Sequence, residues 1–329
     1  MKCGNPVLVY NTEKGLGYRN WSLASPIVRA THHTVFDCGK CLTCRKKRSH
    51  ELAMRCVLNA SLYDDNMFLT LTYDEKLSGY HNELCYADIQ KFKKKLRRHC
   101  DYHHKKKIEV FNVHEYGKNG KKHWHLLVFN HNFSDRKLYT TKNGIPLYTS
   151  KTLEDMWSHG FVTIGDVTEA SSMYQAQYME KDIKNGNYRN SKKAKSNHSG
   201  LGKKYFEKNY EQILTNGFIS LNGRKHAIPR YFEKIAHKHW CHFNDQSYFF
   251  DLIHRKRVYT PFKEGHANRR LADLFDIYEK RKKENLELKE ELWKIQVENS
   301  IATGQEPDFV RSNANSEYNL KTKTTKEKF

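Results

Sequence analysis

Two strand-like segments joined by a short turn constrain the fold of this 329-residue chain more than any other feature. Residues 108–115 alternate between polar and apolar side chains, and residues 123–130 are rich in aromatic and aliphatic ones. Between them, Gly117-Lys118-Asn119-Gly120 has the composition of a tight turn. This spacing predicts an antiparallel hairpin, which places the middle of the chain in a β-sheet.

Helical and strand-like segments alternate on both sides of the hairpin. Apolar residues at helical spacing predict four helices, and runs of β-branched and aromatic residues predict two further strands. The predicted helices cover residues 46–63, 89–98, 153–158 and 168–184, and the predicted strands cover residues 67–73 and 161–164. Antiparallel strands with helices gathered on one face predict an α+β sandwich with a central antiparallel sheet.

Changes in composition along the chain predict four segments. Residues 1–48 form a cysteine-containing arm, and residues 49–186 form the α+β core. Residues 187–300 combine a basic loop with a mixed, partly helical C-terminal region, in which residues 271–297 have the pattern of a long helix. The polar residues 301–329 are expected to be a disordered tail.

The charge balance indicates a nucleic-acid partner. The chain has 58 Lys and Arg against 37 Asp and Glu, a formal net charge of +21. Such a surplus repels itself unless a polyanion is near, and neutralised phosphates release condensed counterions. A membrane surface is the alternative partner, but the basic residues are spread over several segments rather than gathered beside one lipid-inserting helix.

Hydropathy argues against a membrane protein or a secreted one. No apolar run approaches the ~18 residues that a membrane span needs, and the N-terminus lacks the apolar core of a signal peptide. We therefore expect no membrane partner and a protein that works in the cytoplasm.

Two histidines in the second hairpin segment form a candidate metal site. In a strand, His123 and His125 point to one face and Trp124 to the other. The preceding segment offers Glu115, which the hairpin brings alongside. Two imidazoles and one carboxylate leave open positions on a metal, as catalysis requires. The alternative is an ordinary hairpin with two partly exposed histidines and a surface glutamate.

A tyrosine pair in the predicted helix 168–184 is the candidate nucleophile. Tyr174 and Tyr178 are four residues apart, and Lys181 follows three residues later, so all three share one helix face. A tyrosine is a usable nucleophile where a cation stabilises its oxyanion and polarises the electrophile. The alternative is a helix that buries two tyrosines against the sheet.

Together these motifs resemble those of the HUH endonucleases, and most of all the two-tyrosine initiators of rolling-circle replication. Residues 68–73 are similar to the first strand motif of that family, residues 123–125 to the second and residues 174–181 to the third. Cys3 and the Cys-rich residues 38–45 resemble the replication proteins of gokushoviruses, a group of the Microviridae. The resemblance covers about residues 1–185 and implies an RRM-like or ferredoxin-like sandwich.

The resemblance also implies a function. One tyrosine would nick single-stranded origin DNA, form a 5′-phosphotyrosyl link and leave a 3′-hydroxyl that primes rolling-circle replication; unit-length circles would then be closed. Mg²⁺ or Mn²⁺ would be bound by His123, His125 and Glu115, and Lys181 would hold the phosphate or lower the tyrosine pKa. Host helicase and polymerase would be the further partners. The alternatives are a non-catalytic nucleic-acid-binding protein with structural histidines, and an HUH transposase or relaxase.

Four cysteines near the N-terminus form a second candidate metal site. Cys38, Cys41 and Cys44 are three residues apart, and Cys3 can supply a fourth thiolate for one Zn²⁺. An iron–sulfur cluster and unliganded reduced thiols are the alternatives. A zinc site here would hold the N-terminal arm and direct the basic residues that follow it towards DNA.

Basic residues in two predicted helices are the candidate DNA contacts. A basic run is usually a solvated face, but a nearby phosphate-cutting site and the large net charge favour a DNA groove. The candidates are Arg45, Lys46, Lys47, Arg48, Lys94, Lys95, Arg97 and Arg98.

Overall fold

The structure is a computed structural model of the whole chain. It describes residues 3, 7–12, 15–20, 34–76, 85–116, 121–184, 194–195, 200–244, 250–251, 256–257 and 265–303. The predicted turn at residues 117–120, most of the predicted basic loop and residues 304–329 of the predicted tail lie outside these ranges. The boundaries between the four predicted segments stay predictions.

Strands and helices mix along the described chain, which confirms the predicted α+β class. The strands are β1 Val7–Thr12, β2 Gly15–Asn20, β3 Thr34–Phe36, β4 Asn66–Thr72, β5 Glu109–Tyr116, β6 Lys122–Phe129, β7 Lys137–Lys142, β8 Ile145–Thr149, β9 Val162–Gly165, β10 Ala194–Lys195, β11 Ile219–Leu221, β12 Arg224–His226, β13 Phe250–Asp251 and β14 Lys256–Arg257. The helices are α1 Leu42–Ala60, α2 Tyr86–His104, α3 Lys151–Met156, α4 Glu169–Lys184, α5 Lys203–Asn216, α6 Arg230–Asn244 and α7 Arg269–Thr303.

The central sheet is antiparallel, as predicted. Its strand order is β10-β5-β6-β4-β9-β8-β7. Within it, β4, α2, β5, β6, α3 and β9 follow one another in the chain, and the four strands lie in the order β5-β6-β4-β9. This is the βαββαβ arrangement of ferredoxin-like folds, with the β7–β8 hairpin added before α3.

Helices cover both faces of the sheet, so the prediction that they gather on one face is wrong. Helices α2 and α3 pack on one face, against Leu126 and Val128 of β6. On the other face Leu127 and Phe129 belong to a core shared with α1 and α4. The physical reason is the unbroken apolar run in β6: a strand that is apolar on both sides needs a layer on each.

Two helices are longer than predicted. Helix α1 begins at Leu42 rather than at residue 46, directly after Cys41, whose backbone is extended. Helix α2 ends at His104 rather than at residue 98, where Lys105 takes a left-handed conformation (φ 52°) and closes the helix.

The C-terminal helices pack on the outer side of α1. Met54 and Leu58 of α1 join a core with Phe206 of α5, Phe232 of α6 and Phe275 of α7. Helix α7 confirms the predicted long helix, and α5 and α6 give structure to a region for which the sequence predicts no clear topology. Among the described residues, no helix is both long enough and apolar enough to cross a membrane.

Candidate active site

The β5–β6 hairpin brings the three predicted metal ligands together. Glu115 pairs directly with His123 across the hairpin, and His125 lies two residues further along β6 on the same face. Oε2 of Glu115 is 3.0 Å from Nε2 of His123 and 3.2 Å from Nε2 of His125. The ligand atoms of the three side chains all lie within 4.8 Å of one another.

The neighbouring strand β4 holds the His125 ring in place. Thr70 pairs with His125 in the sheet, and its hydroxyl is 3.1 Å from Nδ1 of the ring. Phe68 stacks on the ring, with centroids 5.3 Å apart. Since Nδ1 is engaged by Thr70, Nε2 is the nitrogen that faces Glu115, which is how an outer hydrogen bond orients a metal-binding histidine.

The three side chains suit a divalent cation. One carboxylate oxygen is shared by two imidazole nitrogens, and the side chains of Glu115, His123 and His125 are only 14%, 15% and 5% exposed. The alternative of two partly exposed histidines therefore does not describe His125, which is buried. A cation between these donors would replace contacts that the carboxylate now makes with both rings, and it would leave positions for a substrate oxygen.

Helix α4 places Tyr174 over this cluster. Its hydroxyl lies 3.4 Å from Oε2 of Glu115, its ring meets the His125 ring edge-on with centroids 5.5 Å apart, and it is 43% exposed. Two buried hydrogen bonds fasten the helix at this point. Gln175 donates to the carbonyl of Phe111 (2.6 Å), and the Ser49 hydroxyl donates to the carbonyl of Ala176 (3.1 Å).

Tyr178 and Lys181 belong to the same helix, and their side chains lie outside the described part of the chain. Tyr178 is one helical turn beyond Tyr174, which agrees with the predicted helix. The roles expected of both side chains stay predictions from their spacing.

The four N-terminal cysteines also converge. The Sγ atoms of Cys3, Cys38, Cys41 and Cys44 lie within 4.8 Å of one another, and Cys3 and Cys41 are 3.8 Å apart. Backbone N–H groups of Cys41 and Lys40 point at the sulfur of Cys38, at 3.3 and 3.5 Å. Burial and hydrogen bonds with Cys41 and Cys3 raise the pKa of the Cys44 thiol to about 12, so a cation is needed to ionise this group at neutral pH.

The predicted DNA contacts divide between two faces of the molecule. Lys46, Lys47 and Arg48 are exposed at the start of α1, on the face of the sheet that carries the histidines, and Arg45 there is half-buried. Two are already engaged: Lys47 pairs with Asp37 (2.8 Å) and Arg48 donates to the carbonyl of Gly39 (2.7 Å). The structure does not bring the other four to this site. They are exposed on α2, across the sheet, and are Lys94, Lys95, Arg97 and Arg98.

Several supporting residues of the site are not predicted by the sequence analysis. Thr70 and Phe68 lie within a predicted strand, and Ser49 and Gln175 within predicted helices, but nothing in their local pattern marks them. Their contacts join β4 to β6, α1 to α4 and α4 to β5. Only the sheet register, which aligns Thr70 with His125, could have identified one of them.

Comparison with known proteins identifies the family of this domain. Residues 66–183 match a family model of replication-associated proteins, of the type described as ORF2. This stretch runs from β4 to the end of α4 and contains every residue of the histidine and tyrosine cluster. No solved structure matches the chain.

Individual relatives are replication-associated proteins of phages and a virus. The chain is 36% identical over 210 residues to replication-associated protein VP4 of Bdellovibrio phage phiMH2K, which covers 60% of this chain and 66% of that protein. It is 35% identical over 213 residues to replication-associated protein ORF4 of Chlamydia phage 1, covering 61% of this chain and 53% of the relative. It is 28% identical over 278 residues to replication-associated protein ORF2 of Spiroplasma virus 4, covering 78% and 86%.

The matches to the first two relatives thus span between half and two thirds of the relatives' own length. They confirm the resemblance to phage replication proteins of the Microviridae type that the sequence motifs indicate. Residues 66–183 form a domain of the ORF2-type family of replication-associated proteins, within a chain that is similar to phage replication-associated proteins.

Proposed function

We propose that this chain is an HUH-type replication initiator that nicks single-stranded origin DNA with a tyrosine and starts rolling-circle replication. The observation that carries the proposal is the position of the Tyr174 hydroxyl, 3.4 Å from the carboxylate that also contacts His123 and His125. A phenol beside a metal-type donor set is suited to attack on a phosphodiester. The family match, to replication-associated proteins, supports the same role.

The proposed reaction is a balanced transfer of a phosphodiester bond. The tyrosine oxygen forms a bond with the scissile phosphorus, and the bond from phosphorus to the 3′-oxygen breaks. The phenol proton is lost and the departing 3′-oxygen gains one, so the products are a 5′-phosphotyrosyl link and a free 3′-hydroxyl. No water is consumed, and the reverse transfer joins the held 5′ end to a new 3′-hydroxyl.

Each residue of the cluster has a defined part in this reaction. Glu115, His123 and His125 would hold Mg²⁺ or Mn²⁺, which when bound supplies positive charge to the phosphate oxygens. Thr70 orients His125 through its hydroxyl, so it is a positioning residue. The exposed side of Tyr174 leaves room for a DNA strand above the histidines. Lys181, one of the predicted site residues, would contact the phosphate.

The proposed DNA path runs on the histidine side of the sheet. Helix α1 packs against α4, so its N-terminal basic residues are nearer to Tyr174 than those of α2, which lie across the sheet. Phosphate contacts by lysine and arginine supply most of the affinity for nucleic acid without sequence preference. Host helicase and polymerase in the cytoplasm would extend the 3′-hydroxyl.

We also propose one structural Zn²⁺ in the four-cysteine cluster. Four sulfur donors within 4.8 Å match a closed zinc site, and backbone N–H groups aimed at the sulfur of Cys38 are the outer contacts such sites have. Metal analysis of freshly reduced protein is expected to find about one zinc that Cys38→Ser removes. Protein without zinc at this cluster, but folded and active, contradicts the proposal.

A nicking assay tests the proposed activity. Single-stranded fragments that tile the genome encoding this chain are incubated with the protein and Mn²⁺, with the 5′ end labelled in one set and the 3′ end in another. We expect one fragment to be cut, its 5′ product to be extended by a polymerase, and its 3′ product to stay attached to protein. His125→Ala should bind the fragment but not cut it.

Two results contradict the proposed activity. One is cutting by His125→Ala at the wild-type rate under limiting metal, which removes the metal role. The other is tight binding of single-stranded DNA by the wild type with no cutting of any fragment, which favours a non-catalytic nucleic-acid-binding protein.

A further inference from the structure

A second group of histidines lies away from the active site, at the end of α2. His99 and His104 belong to α2, and His131 follows β6 by two residues. One ring nitrogen from each can be chosen so that all three lie within 4.8 Å of one another. The cluster is on the α2 side of the sheet, where His99 and His131 both contact Phe133 of the core, so it is separate from Glu115, His123 and His125.

Two left-handed residues create this convergence. Lys105 (φ 52°) ends α2 directly after His104, and the N–H of Lys106 donates to the carbonyl of Cys100. Asn130 (φ 71°) turns the chain after β6, and its side chain donates to the carbonyl of Lys107 at 3.1 Å. The end of the helix and the end of the strand are thus held against each other, with the histidines between them.

His131 has a buried nitrogen that the protein does not satisfy. The side chain is 2% exposed, and within the described residues its Nε2 has no hydrogen-bond partner. An unsatisfied buried polar atom costs about 1–3 kcal/mol. The rings of His99 and His104 lie 5.9 and 5.1 Å from the His131 ring, so the surroundings of this nitrogen include further imidazoles rather than a carboxylate.

The charge state of these rings suits a ligand. Burial, with a smaller contribution from His104 and His99, lowers the pKa of His131 to about 4, and burial also lowers the pKa of His99. Both rings are therefore neutral at pH 7 and keep a lone electron pair, the form that binds metals. The C-terminal end of α2 adds the negative end of a helix dipole, which favours a cation there.

The nearby carboxylates are already engaged. Asp65 pairs with Lys106 at 2.8 Å, and Asp135 accepts hydrogen bonds from Ser150 and Thr152 at 2.6 and 2.9 Å. A donor set of imidazoles without carboxylates selects a transition metal such as zinc over Mg²⁺, which prefers oxygen ligands.

We propose that His99, His104 and His131 bind a Zn²⁺ ion that fastens the end of α2 to the segment after β6. Three imidazoles are a known zinc ligand set and leave a fourth position for water or another donor. The ion would satisfy the buried nitrogen of His131 and hold two elements on the face of the sheet opposite the active site. This site is independent of the proposed nicking activity.

The test compares His104→Ala with His103→Ala. Both histidines are exposed at the end of the same helix, but only His104 belongs to the cluster, so His103→Ala is the matched control. Chelator-stripped full-length proteins are titrated with Zn²⁺ against a chromophoric chelator, and the melting temperature is measured with and without Zn²⁺. The cysteine and Glu115 sites are unchanged in both variants.

We expect His103→Ala to bind zinc like the wild type and to gain the same increase in melting temperature. His104→Ala, and His99→Ala as a second variant, should weaken one site by at least about tenfold, since loss of even an outer-shell partner of a metal costs ~10–100-fold. Nicking by His104→Ala should stay at the wild-type rate. Zinc binding and melting that are the same in His104→Ala, His99→Ala and His103→Ala overturn the proposal.

Discussion

At the scale of single residues, the active site depends on which nitrogen of His125 faces Glu115. The Thr70 hydroxyl occupies Nδ1, and Phe68 stacks on the ring, so His125 can present only Nε2 to a metal. Glu115 is the common partner, because one of its oxygens contacts His123, His125 and Tyr174. The ligand set and its outer support therefore come from three adjacent strands.

Substitution of Thr70 tests that support. Thr70→Val keeps the shape of the side chain but removes the hydroxyl, so we expect the affinity for Mn²⁺ to fall by ~10–100-fold while binding of single-stranded DNA is unchanged. Nicking should recover at high Mn²⁺. Thr72→Val, two residues along the same face of β4, is the control, and metal titration of the nicking rate is the measurement. Equal metal dependence in the two variants contradicts the role of Thr70.

At the scale of elements, helix α4 sets the position of Tyr174. Its side chain is over the cluster because Gln175, the next residue, is anchored to β5 and because Ala176 accepts a hydrogen bond from α1. A shift of the helix by about one ångström would move the nucleophile out of line with the metal ligands, and such misplacement can cost ~10²-fold in rate.

Gln175→Leu tests whether the anchor positions the nucleophile. Loss of the hydrogen bond to Phe111 should destabilise the protein by about 1–3 kcal/mol and reduce the nicking rate by ~10–100-fold, with little change in DNA affinity. Ser172→Ala is the control, because the buried Ser172 hydroxyl has no hydrogen-bond partner among the described residues. Urea unfolding and single-turnover nicking measure the two effects. A rate like that of Ser172→Ala shows that the anchor is only structural.

The elements of the core were largely predictable, and their layers were not. Strand and helix periodicity locates β4, β5, β6, β9 and their helices, and the His-Trp-His alternation fixes which side chains share a face. The second helical layer escaped prediction because the apolar run of residues 126–129 is equally consistent with burial on one face or two. Contacts such as Ser49 with Ala176 join residues 127 positions apart, which local patterns do not encode.

At the scale of the whole molecule, α1 connects two cores. One side of it packs with the sheet and α4, and the other side packs with α5, α6 and α7. Buried polar links reinforce this arrangement: Arg55 donates to the carbonyl of Leu201 (2.9 Å), and Asn59 accepts from the N–H of Gly202 (3.1 Å). The C-terminal helices are therefore part of the scaffold behind the active site.

Stability of this scaffold should depend on pH through His239 of α6. The buried Nδ1 of His239 accepts a hydrogen bond from the N–H of Asn268, the residue that precedes α7 and caps it (3.0 Å). Burial lowers the pKa of His239 from 6.5 to about 4, with further lowering by Lys238, Lys203 and His242. The unfolded chain binds this proton more readily, so stability is full above pH 6.5 and is lost as the pH falls towards 4.

The expected loss from His239 alone is on the order of 3 kcal/mol between pH 6.5 and 4. His239→Asn keeps an acceptor near the position of Nδ1 but does not titrate, so it should flatten this part of the profile. Urea unfolding at a series of pH values, in chelator-treated buffer, measures both proteins. Parallel profiles for the variant and the wild type contradict the assignment to His239.

The central claim is that a tyrosine of α4 becomes covalently joined to DNA, and mass spectrometry of the adduct tests it most directly. Wild-type protein, Tyr174→Phe, Tyr178→Phe and the double variant are incubated with the cut fragment and Mn²⁺, then denatured and digested with trypsin and nuclease. We expect a nucleotide on Tyr174 in the wild type, with fragment ions separating it from Tyr178, and some adduct in each single variant because either tyrosine can reach the phosphate. The double variant should form none. An adduct that persists in the double variant, or cleavage by the wild type that leaves no nucleotide on either tyrosine, contradicts the account.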